Sequence, residues 1–383
     1  MAETGKRRIR LGMVGGGTGA FIGYVHRIAS RLDGDYELVA GAFSSRPAVS
    51  KESGQNIGID PRRTYGSWEE MVARESARPD GIEAVSIVTP NNAHVAPAKA
   101  FLEAGIHVIC DKPLSSTLAD ARALAAVRPA KGAKFLLTHN YTGYPLVRQA
   151  RELVKSGALG KLRVIQAEYA QDWLSEPADP NNKQAAWRTD PKRSGAGGAI
   201  GDIGTHAYNL LRFVTGLKTD SVSADLQSFV SGRKVDDNVN ILLRFRGGAR
   251  GMLWASQVAP GNENNLKLRV YGEKAGIEWC QENPNQMWFN ELGKPRTLLT
   301  RGGAISTPPA ASMNVRIPGG HPEGYLEAFA TLYSQFAAVI RGEGKDFAPL
   351  LPSLADGVEG VEFITASIAS SRNNGKWTKF NEV

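Results

Sequence analysis

The chain has 383 residues, 42% hydrophobic and 22% charged, which fits two domains of ordinary globular composition and excludes a disordered tail or a disulfide miniprotein. Lys and Arg number 46 against 38 Asp and Glu, a net charge of +8. The densest basic run is only Lys6-Arg7-Arg8-Ile9-Arg10 and acidic residues are interspersed throughout, so nucleic acid is not an expected partner. Cys110 and Cys280 each lie in an apolar stretch and read as buried free thiols of a reducing compartment, with no metal site expected. No apolar run approaches the length of a membrane span, and residues 1–10 are polar and basic without the apolar core of a leader, so the expected location is the cytoplasm.

Through the first third, short runs rich in β-branched residues predict strands over 9–14, 37–43, 84–88, 106–110 and 135–137. Helical periodicity falls between them, clearest over 93–104, closed by Gly105, and over 117–127. Near-continuous apolar strands alternating with helices predict an α/β domain with a doubly wound parallel sheet, placed over 1–138. The pattern then changes. A helix over 145–156 leads to a strand over 162–173 and a Pro- and Gly-rich stretch up to Gly198. Strands are expected at 221–230, 238–245, 249–257, 266–271 and 276–280. Residues 292–318 read as a long loop, and helices over 323–341 and 353–371 close the chain. Residues 139–383 are thus expected to form an α+β domain with an open, mostly antiparallel sheet.

Directly after the first strand, Gly15-Gly16-Gly17-Thr18-Gly19-Ala20-Phe21 offers small residues that let a backbone turn approach a pyrophosphate at a helix start. Gly15, Gly17 and Ala20 satisfy G-x-G-x-x-A, and Gly23 is a candidate later glycine. The second strand ends without the Asp or Glu that accepts ribose hydroxyls in an NAD site. Ser44, Ser45 and Arg46 stand there instead, which leans the cofactor towards NADP without excluding NAD; the alternative is a solvated loop.

Polar groups follow three further apolar elements. Thr89-Pro90-Asn91 with His94 is the first, and Asp111-Lys112-Pro113, read as a cis-peptide turn that directs the ammonium, is the second. The third is the stretch from Gly197 through Asp202 to His206, running into a helix through Asn209. Asp202 and His206 are four apart, which on a helix puts carboxylate and imidazole on one face.

The Gly-rich turn, Thr-Pro-Asn-x-x-His at 89–94, Asp-Lys-Pro at 111–113 and Gly-Asp-Ile-Gly-Thr-His at 201–206 together resemble the glucose-fructose oxidoreductase/inositol dehydrogenase (Gfo/Idh/MocA) family, over nearly the whole chain. The resemblance implies an NAD(P)-dependent, Rossmann-type oxidoreductase moving a hydride between nicotinamide and a secondary hydroxyl of a sugar, anhydro-sugar or inositol. It implies catalytic roles for Lys112, Asp202 and His206. The dinucleotide would touch Gly15, Gly17, Thr18, Ala20, Phe21, Ser44, Ser45, Arg46, Thr89, Pro90, Asn91, His94, Asp111 and Lys112. Asp111 replaces the usual Glu, and Asn209 replaces an Asp of many members. Gln171-Asp172-Trp173 with Trp187-Arg188 resembles the subgroup that contains levoglucosan dehydrogenase, where such residues line a sugar pocket. Asn140, Tyr141, Tyr169, Asp172, Trp173, Trp187, Arg188, Asn209 and His321 are therefore the substrate-binding candidates. A sheet with one face covered needs something over the other, so a homodimer or homotetramer is expected. An NAD-dependent glycosidase of the same fold, and a silent dinucleotide-binding regulator, are the alternative functions.

Overall fold

Apolar runs covered on both faces become parallel strands, because helices then take both sides of the sheet. In the computed structural model, which describes residues 6–179, 181–303 and 315–383, this gives β1 (Ile9–Gly15), β2 (Tyr36–Ala42), β3 (Ala84–Val88), β4 (His107–Cys110) and β5 (Phe135–Leu137). They pair in the order β2-β1-β3-β4-β5, all parallel. The connecting helices are α1 (Phe21–Leu32), α2 (Pro47–Ile57), α3 (Trp68–Ala77), α4 (Val95–Glu103) and α5 (Leu118–Ala125). The sequence pattern did not reveal α2 or α3. Their starts carry a Pro in the first turn and a Ser67 side chain accepting from the Glu70 N–H, respectively.

The chain divides into two compact units, of residues up to 115, 119–143 and 325–358, and of 116–118, 144–324 and 359–383. The single cut at 138/139 therefore differs from the structure by more than a few residues. Helix α10 (Tyr325–Ile340) belongs to the first unit, where Phe329, Leu332, Tyr333 and Phe336 pack with Ile9, Leu11, Val25, Tyr36 and Ile109. Apolar contact with α1 decides its place, and chain order does not.

In the second unit, α6 (Pro145–Lys155) precedes β6 (Leu162–Ala170), which ends three residues short of the expected strand. The stretch expected to be irregular holds two short helices, α7 (Lys183–Arg188) and α8 (Pro191–Ser194). One π-helical turn, Ile200–Gly204, then runs into α9 (Thr205–Thr215). The strands β7 (Thr219–Gln227), β8 (Asn238–Phe245), β9 (Arg250–Ser256), β10 (Asn265–Gly272), β11 (Ala275–Cys280), β12 (Gln286–Glu291) and β13 (Thr297–Thr300) follow. With β6 and β14 (Thr378–Lys379), they form a nine-stranded sheet, antiparallel except where β6 lies parallel to β9. β12 was not foreseen, and β13 interrupts the loop expected over 292–318, of which residues 304–314 lie outside the described residues. Helix α11 (Leu354–Arg372) closes the chain.

Alternation sorts this sheet into two faces. Ile165, Ala167, Leu253, Leu266 and Leu268 are buried on the face that α9 packs against, whereas Leu242 and Met252, cross-strand partners, remain 50% and 46% exposed on the other.

The core of the first unit contains a polar knot that no sequence pattern announced. The Nδ1 of His26 lies 2.8 Å from the Tyr333 hydroxyl and 3.1 Å from that of Ser86, and the Tyr333 hydroxyl donates to Ser86 at 3.0 Å. Burial pushes the His26 imidazole down to about 4, the Asp111 carboxylate opposing and Arg27 assisting. The native state therefore binds fewer protons here than the unfolded chain between pH 6.5 and about 4, and the contribution of this site is lost as pH falls through that window. Relative to a His26→Gln variant, wild-type stability is expected to drop by up to about 3 kcal/mol over it, read from denaturant midpoints. A difference that stays constant with pH refutes the assignment.

Candidate functional site

In an open α/β sheet, ligands collect at the carboxyl ends of the strands, and the polar residues of the first unit gather there. β1 ends at Gly15, whose φ is +78° and where a Cβ would lie 2.8 Å from the Val88 carbonyl oxygen. The turn that follows is fastened by the Gly17 N–H donating to the Phe43 carbonyl at 3.2 Å and the Thr18 N–H to the Ser53 hydroxyl at 3.1 Å. A Cβ on Gly23 would collide with the Cα of Gly16, so Gly23 is the glycine that permits close packing of helix on turn. Helix α1 starts after Ala20 with no side-chain cap and no acid in its first turn. Nothing of its own opposes an anion at that positive end, and the residues fit a dinucleotide pyrophosphate. Ser44 accepts from the Arg46 N–H at 3.2 Å, and the Arg46 side chain is exposed.

At the ends of β3, β4 and β5 the arrangement is tighter. The His94 ring is fully buried, with Nδ1 2.8 Å from the Pro113 carbonyl and Nε2 2.9 Å from that of Thr89. His94, expected from the sequence to touch the dinucleotide, ties the Thr89-Pro90-Asn91 turn to the turn after β4. The Lys112-Pro113 peptide is cis, as expected. Asp111 Oδ1 accepts from the Lys112 N–H at 2.9 Å and from the Thr138 hydroxyl at 3.0 Å. Burial, with the Lys112 ammonium assisting, pushes His139 down to about 3, so this ring is neutral. Asn140 and Tyr141 follow, both nearly fully buried. Neither end of the Asn140 amide has a hydrogen-bond partner among the described residues. A buried amide left so is expected to meet a bound polar group.

The second unit carries the other candidates. His206 lies in the first turn of α9, buried, with its ring centroid 6.2 Å from that of Tyr169. Asp202 lies in the π turn before it, and its Oδ2 accepts from Arg188 Nε and from Gln257 Nε2, each at 2.9 Å. Arg188 stacks on Trp187 with its guanidinium carbon 4.4 Å from the ring centroid and stands 5.8 Å from that of Trp173. Its Nη1 donates to Gln184 at 2.7 Å. The Trp173 indole donates to Gln171, while Gln171 and the Tyr169 hydroxyl both donate to Asn264 Oδ1 at 2.7 Å. Asp172 Oδ2 accepts from the Gly261 N–H at 3.0 Å. Asn209 is half-buried on α9, and His321 is exposed, its carbonyl accepting from buried Arg301.

Tyr169, Trp173, Trp187, Arg188, Asp202 and His206 are thus joined through side-chain contacts within one unit. Sequence reasoning missed Gln257 and Asn264. Their one local signal is position, polar residues flanking the ends of alternating strands. Among the described residues, no helix is long and apolar enough to cross a membrane, and no group of three His, Cys, Asp or Glu is placed to hold a metal ion.

A parallel sheet with a glycine turn fitted to a pyrophosphate, and a second unit built on an open sheet, define a dinucleotide-dependent oxidoreductase. The family model for an oxidoreductase with an NAD-binding Rossmann fold matches residues 9–141, and that for the GFO/IDH/MocA C-terminal domain matches residues 147–278. The chain belongs to this family. It is similar to an oxidoreductase from Sinorhizobium meliloti, at 52% identity and a TM-score of 0.89 over 98% of this chain and 100% of that one. An inositol dehydrogenase homologue from Azotobacter vinelandii, complexed with NADH and myo-inositol, is 37% identical with a TM-score of 0.90 over 97% and 98% of the two chains. The levoglucosan dehydrogenase of Pseudarthrobacter phenanthrenivorans is 27% identical over 310 residues, 73% of this chain and 76% of that protein.

The Arg188–Asp202 pair generates a stability prediction. Arg188→Ala is expected to destabilise the second unit by about 1.5–3 kcal/mol, the usual worth of a hydrogen bond to a charged group. Arg188→Lys should recover little, because an ammonium cannot donate from the Nε position and stack on Trp187 at once. Full recovery by lysine in denaturant unfolding would show that charge alone matters.

Proposed function

We propose that this chain reversibly oxidises a secondary hydroxyl of a ring polyol, either a sugar, an anhydro-sugar or an inositol, in the cytoplasm. The observation that carries the reading is the Asp202 carboxylate, fixed by Arg188 and Gln257 one turn before a buried His206. Gly15, Gly17, Thr18 and Ala20 of the Gly-rich turn would hold NAD(P), which would supply the acceptor for the hydride of the carbinol carbon. His206 takes the hydroxyl proton, and the Lys112 ammonium stabilises the negative charge developing on the oxygen. Asp202 orients the His206 ring and balances the charge it acquires. Asp172, Arg188 and Asn209 bind hydroxyls, and Trp173 and Trp187 take the C–H faces of the ring. The Asn140 amide supplies a donor and an acceptor to the ligand. The myo-inositol in the Azotobacter structure and the levoglucosan dehydrogenase relationship support this substrate class.

A panel of cyclitols, aldoses and anhydro-sugars with NAD and NADP, followed at the nicotinamide absorbance, tests the reading. Sugar release without net NAD(P)H formation would instead favour glycosidase chemistry. Lys112→Met is expected to keep dinucleotide affinity while losing about 10²–10³ in turnover, the effect of one donor at a developing oxyanion. His206→Ala should lose turnover likewise, and wild-type oxidation should rise from acidic to neutral pH as the base deprotonates. Wild-type turnover in either variant removes that residue from the mechanism.

The cofactor is proposed to lean towards NADP through Ser44, Ser45 and Arg46, although the Azotobacter homologue holds NADH. Arg46→Ala should weaken NADP about tenfold to a hundredfold and leave NAD within about twofold, since only NADP presents a 2′-phosphate to the guanidinium. Equal effects on both dinucleotides would make the segment an ordinary loop.

The outer sheet face, with Leu242 and Met252 exposed beside Gln166 and Trp254, is proposed to pair with another copy of the chain. Sedimentation at micromolar concentration should give a dimer or tetramer, and Leu242→Lys with Met252→Lys should shift it towards monomer. A wild-type monomer defeats the proposal.

A further inference from the structure

The stretch leading to the Asp202/His206 helix is unusually poor in side chains able to hold it. Gly195, Gly197, Gly198, Gly201 and Gly204 fall within ten residues, so its backbone has little stiffness of its own. What holds it comes from a distant part of the second unit. The Asp236 carboxylate, buried at the start of the segment entering β8, accepts from the Gly198 N–H at 2.7 Å through Oδ1 and from the Ile200 N–H at 2.8 Å through Oδ2. Its own carbonyl accepts from the Ala199 N–H at 2.8 Å, so three successive peptide N–H groups end on one residue. Contact is close enough that a Cβ on Gly198 would collide with that carbonyl oxygen.

These are the N–H groups that a helix start leaves without internal partners, and a carboxylate there meets the positive end of the helix. The helix proceeds at once through the π turn bearing Asp202, whose N–H donates to the Gly198 carbonyl at 2.9 Å, to His206. Single π turns are frequent at functional sites.

We infer that Asp236 is a positioning residue for the proposed hydroxyl oxidation, acting by capping from outside the helix that carries Asp202 and His206 and so fixing where both side chains stand. This rests on the proposed roles of those two residues. The neighbouring Asp237 serves elsewhere, accepting from the Phe229 and Val230 N–H groups and from Arg233. Burial pushes the Asp236 carboxyl up to about 6, the N–H groups opposing. Its ionised form is thus held at a cost to stability, and carboxyls perturbed in this way cluster at functional sites.

The test is Asp236→Asn, which keeps the shape but offers one acceptor to two N–H groups. Turnover is followed with NAD and the most rapidly oxidised of myo-inositol, levoglucosan and glucose. Expected are a kcat lower by about tenfold to a hundredfold, KM within about threefold, unchanged NAD affinity, and faster hydrogen exchange at the Gly198 and Ile200 amides. The double variant with His206→Ala should be no slower than His206→Ala alone, because Asp236 acts through that helix. Should Asp236→Asn fail to fold, Gly198→Ala displaces the turn with the carboxylate still present and should give the same pattern. Wild-type kcat in a folded variant, or losses that multiply in the double variant, overturns the inference. Failure of the oxidation reading is distinguishable, since it shows as wild-type turnover in His206→Ala itself.

Discussion

The Asp202 carboxylate is where three separate stretches of the second unit meet, namely the short helix α7 through Arg188, the end of β9 through Gln257, and the start of α9 through its own backbone. One oxygen taking two donors, one of them cationic, is a strong and directional contact. It fixes Arg188, and Arg188 in turn holds Trp187 and stands beside Trp173, so the placement of the aromatic residues follows from the placement of this charge. From Trp173 the chain of hydrogen bonds continues through Gln171 and Asn264 to Tyr169, whose ring flanks His206. A single substitution at Asp202 therefore disturbs more than one proton. It would leave a half-buried guanidinium without its anion and loosen residues 171–179 and 181–190, in which the short helix α7 is the one regular element among the described residues before α8.

The first unit is built on a different constraint, a turn whose backbone lies open to close approach. Side chains are removed at Gly15, Gly17 and Gly23, and the carbonyls and hydroxyls of neighbouring strands fasten the turn that remains. Around Lys112 the rings do not compete for charge. His139 is held neutral by burial and by the ammonium, and burial likewise pulls His94 below the ordinary imidazole value, while Asp111 is engaged by Thr138 and the Lys112 N–H. The lysine is thereby the one cation among these neighbours, an arrangement suited to a site where negative charge develops.

The parallel sheet and its Gly-rich turn were legible because both rest on local features, apolar runs of strand length and glycines at a strand end. Helices α2 and α3 were not, since Pro-Ala-Val-Ser-Lys-Glu-Ser-Gly-Gln-Asn-Ile has too few apolar residues to show a stripe. Strand β13, at the sheet edge, carries just four residues and buries only Leu299, so alternation had nothing to act on. Of the proposed site residues, Lys112, Asp202 and His206 stand out in the sequence as polar groups at the ends of apolar elements and by a spacing of four, with their roles implied by the motif resemblance, while Arg188 and the tryptophans came from the resemblance to the levoglucosan dehydrogenase subgroup. Gln257, Asn264 and Asp236 were invisible for a shared reason. Each acts on a partner 36 to 95 residues away, and such pairings follow from sheet register, which a single sequence does not display. The two carbonyl neighbours of His94 were likewise not legible, because they come from turns that meet only in the fold.

Two buried ionisable groups, one in each unit, are shifted in opposite senses, and this shapes how the molecule meets acid. His26 in the first unit has its pKa lowered to about 4. It favours the folded state above pH 6.5 and loses that contribution as pH falls. Asp236 in the second has its pKa raised from 3.8 to about 6. Its folded form binds the proton more readily than the unfolded chain, so its contribution is full below pH 3.8 and declines as pH rises towards 6. If the units melted together, the slopes would partly cancel between pH 4 and 6. If they melt separately, acid weakens the first unit while sparing the second, because Glu83, whose carboxyl Arg7 and Arg10 hold below its ordinary value, adds to the acid sensitivity of the first unit. The residues proposed to bind the dinucleotide belong to the unit that acid weakens, whereas the cap on the His206 helix belongs to the other. Loss of activity in mild acid would then reflect proton uptake by the proposed base, protonation of the Asp236 carboxylate that caps its helix, and weakening of the first unit, before any unfolding of the Asp202 network.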